Sequence, residues 1–174
     1  MQTSRTQRVK TFPAPAKLAT PTDLSQQEVK AITEAVNPLV ADALALYLKT
    51  KNFHWHLYGP RFRDLHLLFD EHADAILDSV DVMAERVRRI GGTTIRSISH
   101  VSQLQTIEDD NDEQVPPEEM VKRLMDDNGH IAHAIREAIE VCDKNRDSAT
   151  SNQLQDILDK TERRKWFLFE ITQT

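Results

Sequence analysis

Between residues 52 and 92 the chain reads NFHWHLYGPRFRDLHLLFDEHADAILDSVDVMAERVRRIGG. Four of its seven histidines lie here (His54, His56, His66 and His72), among Asp64, Asp70, Glu71, Asp74, Asp78, Asp81 and Glu85. Imidazole nitrogen together with hard carboxylate oxygen is the donor set that divalent iron or zinc takes. On an α-helix each residue turns about 100° and rises about 1.5 Å. His66, Asp70, Asp81 and Glu85 then share one flank, beside an apolar stripe of Leu65, Phe69, Ala73, Ile76, Val80, Met83 and Val87. His66/Asp70 and Asp81/Glu85 are each an i,i+4 pair, so each pair can face one ion.

The two pairs stand about 16 Å apart along the helix, and one helix cannot close them around one metal. Two antiparallel copies can. A two-fold axis between Ala75 and Ile76 sets position 66 of one subunit opposite 85 of the other, and 70 opposite 81. Two-fold symmetry repeats the contact, giving two identical sites per dimer. His54, just ahead of the Gly59-Pro60 stop, is placed to complete the first subunit's half. Asp74 and Asp78, at the edge of the flank, read as solvated.

Other chemistries find less support. In-bundle di-metal sites use a Glu-x-x-His pair on each of two helices, and the chain has none; Asp127-x-x-His130 is a single, imperfect match. The zinc-hydrolase pattern His-Glu-x-x-His and a Gly-rich phosphate loop are absent. Cys142, at a helical core position, reads as packing.

The elements that must position these groups are helical. Ser25 and Glu28 fit a capping box that opens a first helix running to about residue 58. Val29, Ile32, Val36, Leu39, Val40, Ala43, Leu44, Leu46, Tyr47 and Leu48 recur along it at helical spacing. Pro38 removes one backbone bond from that helix, but the apolar pattern resumes without a polar break, which favours one kinked helix over two segments with Asn37 as a cap. A second helix spans about 62–90 and stops at Gly91-Gly92. A long connection, about 93–116, is expected to carry a short helix near 101–107. A third helix over about 116–143 and a fourth over about 150–171 complete a four-helix bundle with one long crossover.

The chain has 174 residues, 39% of them hydrophobic and 29% charged, with four glycines, which suits one helix-rich domain. Its single cysteine allows no intrachain disulfide, and a reducing cytoplasm is expected. No membrane-spanning run of about 20 apolar residues and no secretory signal is apparent. The net charge of -6 is uneven. Residues 1–20 carry Arg5, Arg8, Lys10 and Lys17 and no acid, so the remainder holds 18 basic against 28 acidic groups. Residues 1–23, with Pro13, Pro15 and Pro21, read as a flexible basic arm, and 24–174 as the bundle domain.

The segments LYLKTKNFHWHLYGPRF, DLHLLFDEHADAI and DSVDVMAERVRRIGG, and more loosely RKWFLFE near the end, resemble the Dps family, the miniature ferritins. The resemblance implies a ferritin-like, all-α subunit assembling as a hollow dodecamer. It implies ferroxidase sites at two-fold interfaces, with His54, His66 and Asp70 from one subunit and Asp81 and Glu85 from its mate. Iron would be the substrate, two ions to a site, with zinc or manganese as substitutes and peroxide or oxygen as oxidant. Trp55 would shield the site or pack at the interface. His56 stands where relatives often have Asn, either as an outer or extra ligand or as a surface residue. A three-fold pore would draw on Asp147 and Asp156, with Asn152 where a third acid is usual. Iron oxidation and storage is the leading function. The alternative is a nucleoid-associated, DNA-compacting protein that grips phosphates without sequence preference through twelve basic arms.

Overall fold

The structure is a computed structural model and describes residues 16–173; it contains five α-helices and, among the described residues, no strand. Helix α1 is Gln26–His56, α2 Phe62–Arg89, α3 Ile98–Leu104, α4 Pro117–Lys144 and α5 Ser148–Thr172. The start of α1 is a capping box: the Ser25 hydroxyl accepts from Glu28 N, and the Glu28 carboxylate accepts from Ser25 N at 2.7 Å. Glu28 also accepts from Arg146 at 2.9 Å, tying the head of α1 to the α4–α5 turn. Pro38 sits inside a continuous α1. Its neighbours Val36, Leu39, Val40, Ala43 and Leu46 are all buried, and together their burial outweighs the roughly 3 kcal/mol cost of an interior proline. Asn37 is no cap there; its amide donates to the carbonyl of Thr93 at 2.9 Å.

The four long helices close on one core. α1 packs on α2 and α4, α5 packs on α4 and α2, and the short α3 lies against α1. Phe53, Phe69, Ile32, Leu46, Ile76, Met120, Leu124, Ile135, Leu154 and Leu168 fill the centre. By length and composition alone α1 could cross a membrane, but its apolar face is what the other helices cover.

Helix α2 ends where Gly91 adopts φ +91°, a conformation that favours glycine. A Cβ at Gly92 would collide with the Thr33 hydroxyl and the Val87 side chain, so the chain can pass close over α1 only with glycine there.

Two expectations need correction. The crossover helix lies three residues earlier than the apolar pattern placed it, because Ser97 caps it by accepting from His100 N. Thr106 and Ile107 lie beyond its end, held by Asp42, a buried carboxylate that accepts from both backbone amides and the Thr106 hydroxyl. The second correction concerns the arm. Ala16–Leu18 form a 3-10 turn. Arg88 donates to the Leu18 carbonyl at 2.8 Å, and the Thr20 hydroxyl donates to the Arg88 carbonyl at 2.9 Å. The stretch from 16 to 20 is thus held against the end of α2; Arg5, Arg8 and Lys10 lie outside the described residues.

Candidate metal centre

The last turn of α1 and the first turns of α2 run side by side, joined by a short turn in which Gly59 takes φ +94°. This brings His54 and His66 face to face, ring centroids 3.7 Å apart and 17° from parallel. Each ring is held by the other's backbone. His54 Nδ1 lies 2.8 Å from the His66 carbonyl, and His66 Nδ1 lies 3.1 Å from the His54 carbonyl. A carbonyl only accepts, so both Nδ1 atoms carry the proton and both Nε2 atoms present a lone pair. Metal-binding histidines are commonly oriented by just such a bond from the second ring nitrogen. Phe62 stacks on the outer side of His66 at 4.9 Å, fixing that ring further.

Asp70 adds the oxygen donor. Its Oδ1 stands 3.9 Å from His54 Nε2. The same oxygen takes a 2.5 Å ion pair from Lys51, one turn before His54 on α1. The hydrogen bond from Lys51, helped by its charge, holds the Asp70 carboxyl below its usual range. Lys51 in turn is raised, first by its bond to Asp70. An incoming cation therefore meets an ionised Asp70 with an ammonium already on it, and has to displace that ammonium.

Asp81 and Glu85 lie further along α2, on the same flank. Glu85 is engaged by Arg89 at 2.5 Å, and both side chains are about half exposed. Among the described residues of one subunit, no three His, Cys, Asp or Glu side chains gather tightly enough to hold a metal. The flank is nonetheless not purely polar: Leu67, Leu77 and Val82 are exposed on or beside it. Exposed apolar side chains grouped around polar ones are usual where a protein surface is covered by another.

Several residues named from the sequence fall elsewhere. His56 is exposed, its Nδ1 against the Asn52 carbonyl one turn back, and two helical positions put it on the opposite side of α1 from His54. It is not an outer ligand within the subunit. Trp55 is 59% exposed beside His54. His72 is fully buried beneath Phe167 of α5. Asp147 is buried, caps α5 through Thr150 N, and pairs with Arg86 at 3.0 Å. Within the subunit that carboxylate faces Arg86 and the head of α5. Asp156 is exposed on α5. Lys51, Phe62 and Arg89 were missed; for the two bases the available signal was helical spacing, Lys51 three residues before His54 and Arg89 four after Glu85.

Comparison with known proteins identifies the family and the fold. A ferritin-like domain model matches residues 33–174. The DNA protection during starvation protein 2 of Bacillus anthracis is 30% identical over 139 residues, spanning 80% of this chain and 94% of that protein. DpsC of Streptomyces coelicolor superposes with a TM-score of 0.88 at 26% identity, covering 97% of this chain and 98% of that one. A Dps protein from Bacillus brevis gives 0.82 at 28% identity, covering 86% and 100%.

Proposed function

We propose that this chain, which belongs to the Dps family of the ferritin-like superfamily, oxidises Fe(II) at sites shared between two-fold-related subunits and stores the ferric product inside a dodecameric shell. The observation that carries the proposal is the crossed His54–His66 pair, with both Nδ1 atoms tied to backbone and His54 Nε2 beside Asp70, at one end of an exposed helix flank. Asp81 and Glu85 wait at the other end. Two antiparallel copies of α2 would bring the two ends together twice, and Leu67, Leu77 and Val82 would be covered in doing so.

In this reading His54 and His66 hold iron through Nε2. Asp70 and Glu85, hard oxygen donors that favour the ferric state, hold and bridge it, and Asp81 completes the set. Two Fe(II) ions each give up one electron; one hydrogen peroxide takes both and, with two protons, becomes two waters. Removing ferrous iron and peroxide together suppresses hydroxyl-radical formation, which fits the DNA-protection role that the Bacillus anthracis relative is named for. A second role, DNA contact through the basic residues near the N-terminus, rests on charge alone: Arg5, Arg8, Lys10 and Lys17 are set against an acidic body.

The test is anaerobic loading with Fe(II), then peroxide, then size-exclusion chromatography. Ferric iron eluting with a shell of dodecamer mass supports the proposal. Iron oxidised no faster than in buffer, and precipitating apart from the protein, contradicts it.

A further inference from the structure

Arg164 of α5 is 4% exposed, in the heart of the bundle between α2, α4 and α5. Its Nε donates to the Asn128 side-chain oxygen at 3.0 Å and its Nη2 to the Thr161 hydroxyl at 2.9 Å. Both acceptors are neutral. Among the described residues no carboxylate pairs with it, and burial, unopposed by any nearby negative charge, draws the guanidinium down to about 10. It stays charged at neutral pH. Buried charges in proteins are ordinarily paired or bound to an ion, because isolating one from water is costly. The local field is positive in a second sense: Arg164 and Arg163, after burial, hold neighbouring His72 in its neutral form.

The guanidinium borders a cavity of about 10 Å³, walled by Ser79, Thr161, Met83 and aliphatic side chains of α1, α2, α4 and α5. That is the lower limit for a single water, so a larger guest needs a wall side chain to move. The wall hydroxyls have no proton left to give a guest, Ser79 donating to the Ile76 carbonyl at 2.6 Å and Thr161 to the Ile157 carbonyl at 2.8 Å, and Thr161 already accepts from Arg164. A water would want two to four polar partners, whereas this space offers guanidinium N–H on one side and mostly apolar surface on the other. Met83, unbranched and adaptable, is the wall residue that can yield to a particle slightly larger than water.

We infer that this crevice binds one small, weakly hydrated monovalent anion of chloride's size, held by Arg164 in the interior of each subunit. The anion supplies the negative charge that the fold does not, and it stabilises the bundle independently of the metal centre.

Bromide is the probe. In crystals equilibrated with sodium bromide, an anomalous peak within about 3.5 Å of an Arg164 Nη is expected; a fully ordered water there, with no anomalous signal, overturns the inference. In solution, replacing sodium gluconate by sodium bromide at constant ionic strength should raise the wild-type midpoint by ~2–4 °C. Arg164→Met, an uncharged replacement of similar length, should lose that anion-specific rise while keeping iron oxidation. An equal rise in the variant overturns the inference. Should Arg164→Met not fold, the bromide crystal decides alone, since it uses the unaltered chain.

Discussion

Lowering the pH from neutrality should loosen the bundle through His72. The ring is 2% exposed, lies 6.4 Å from the Phe167 ring, and its buried Nε2 has no partner among the described residues. Burial first, then the charges of Arg164 and Arg163 on α5, lower it from an ordinary 6.5 to about 4. The folded chain therefore resists a proton that the unfolded chain accepts. For a histidine with a depressed native value, stability is complete above pH 6.5, falls as the unfolded chain is protonated, and levels off below about 4. A difference of 2.5 units at about 1.36 kcal/mol each amounts to about 3 kcal/mol, a large part of a domain's net stability. His100, also depressed by burial, contributes in the same direction. The assay is urea unfolding from pH 7.5 down to about 4.5 at one protein concentration, for wild type and His72→Leu. The leucine variant removes the proton acceptor and the unpartnered nitrogen without opening a large cavity. It should equal or exceed the wild type at pH 7 and lose roughly 2–3 kcal/mol less on acidification. Parallel pH profiles for the two proteins would refute this account of His72.

Removing the ammonium from Asp70 with Lys51→Met should tighten Zn(II) or Co(II) binding about two- to fivefold, the scale of a partly exposed ion pair; isothermal titration reads it, and weaker binding would make Lys51 a support for the site instead of a competitor. Asp147→Asn breaks a buried ion pair and weakens a helix cap, so urea unfolding should show a loss of ~3 kcal/mol. Unchanged stability with slowed iron uptake would return Asp147 to a pore. Deleting residues 1–15, which keeps Leu18 and Thr20 on Arg88, should abolish any salt-sensitive DNA gel shift while leaving thermal stability unaltered. An equal shift by the shortened protein would place DNA contact elsewhere.

Much of this structure was legible because its strongest signals are local. The Ser25–Glu28 capping box, the Gly91-Gly92 stop and the apolar stripe of α2 depend on residues a few positions apart. So does the placing of His66/Asp70 and Asp81/Glu85 toward opposite ends of one flank of α2, which follows from helical geometry alone. What escaped reading depends on tertiary partners. The crossover helix was misplaced because Ile107, apolar and helix-compatible, is held outside the helix by Asp42, 65 residues earlier. Asp147 looked like a pore acid until the fold set Arg86 against it. Helical spacing set His54 and His66 apart from the other histidines of the segment, and only the way α1, α2 and α5 pack shows His56 to be a surface ring and His72 a core ring. The continuity of α1 through Pro38 likewise follows from burial on both sides of the proline, which residue type alone does not reveal.

The central claim, a metal site divided between two subunits, is tested most directly by mixing two inactive variants. His66→Ala damages one half of the site and Glu85→Ala the other, so each protein alone should lose rapid Fe(II) oxidation. In a dimer containing one of each, one site joins both damaged halves and the other joins both intact halves. Random reassembly of equal amounts makes about half of the dimers mixed, and so restores about a quarter of all sites. The account predicts an initial peroxide-dependent oxidation rate near a quarter of wild type in reassembled shells of normal mass. Normal shells with no recovered activity would contradict it, because ligands contained within one subunit cannot be repaired by a partner.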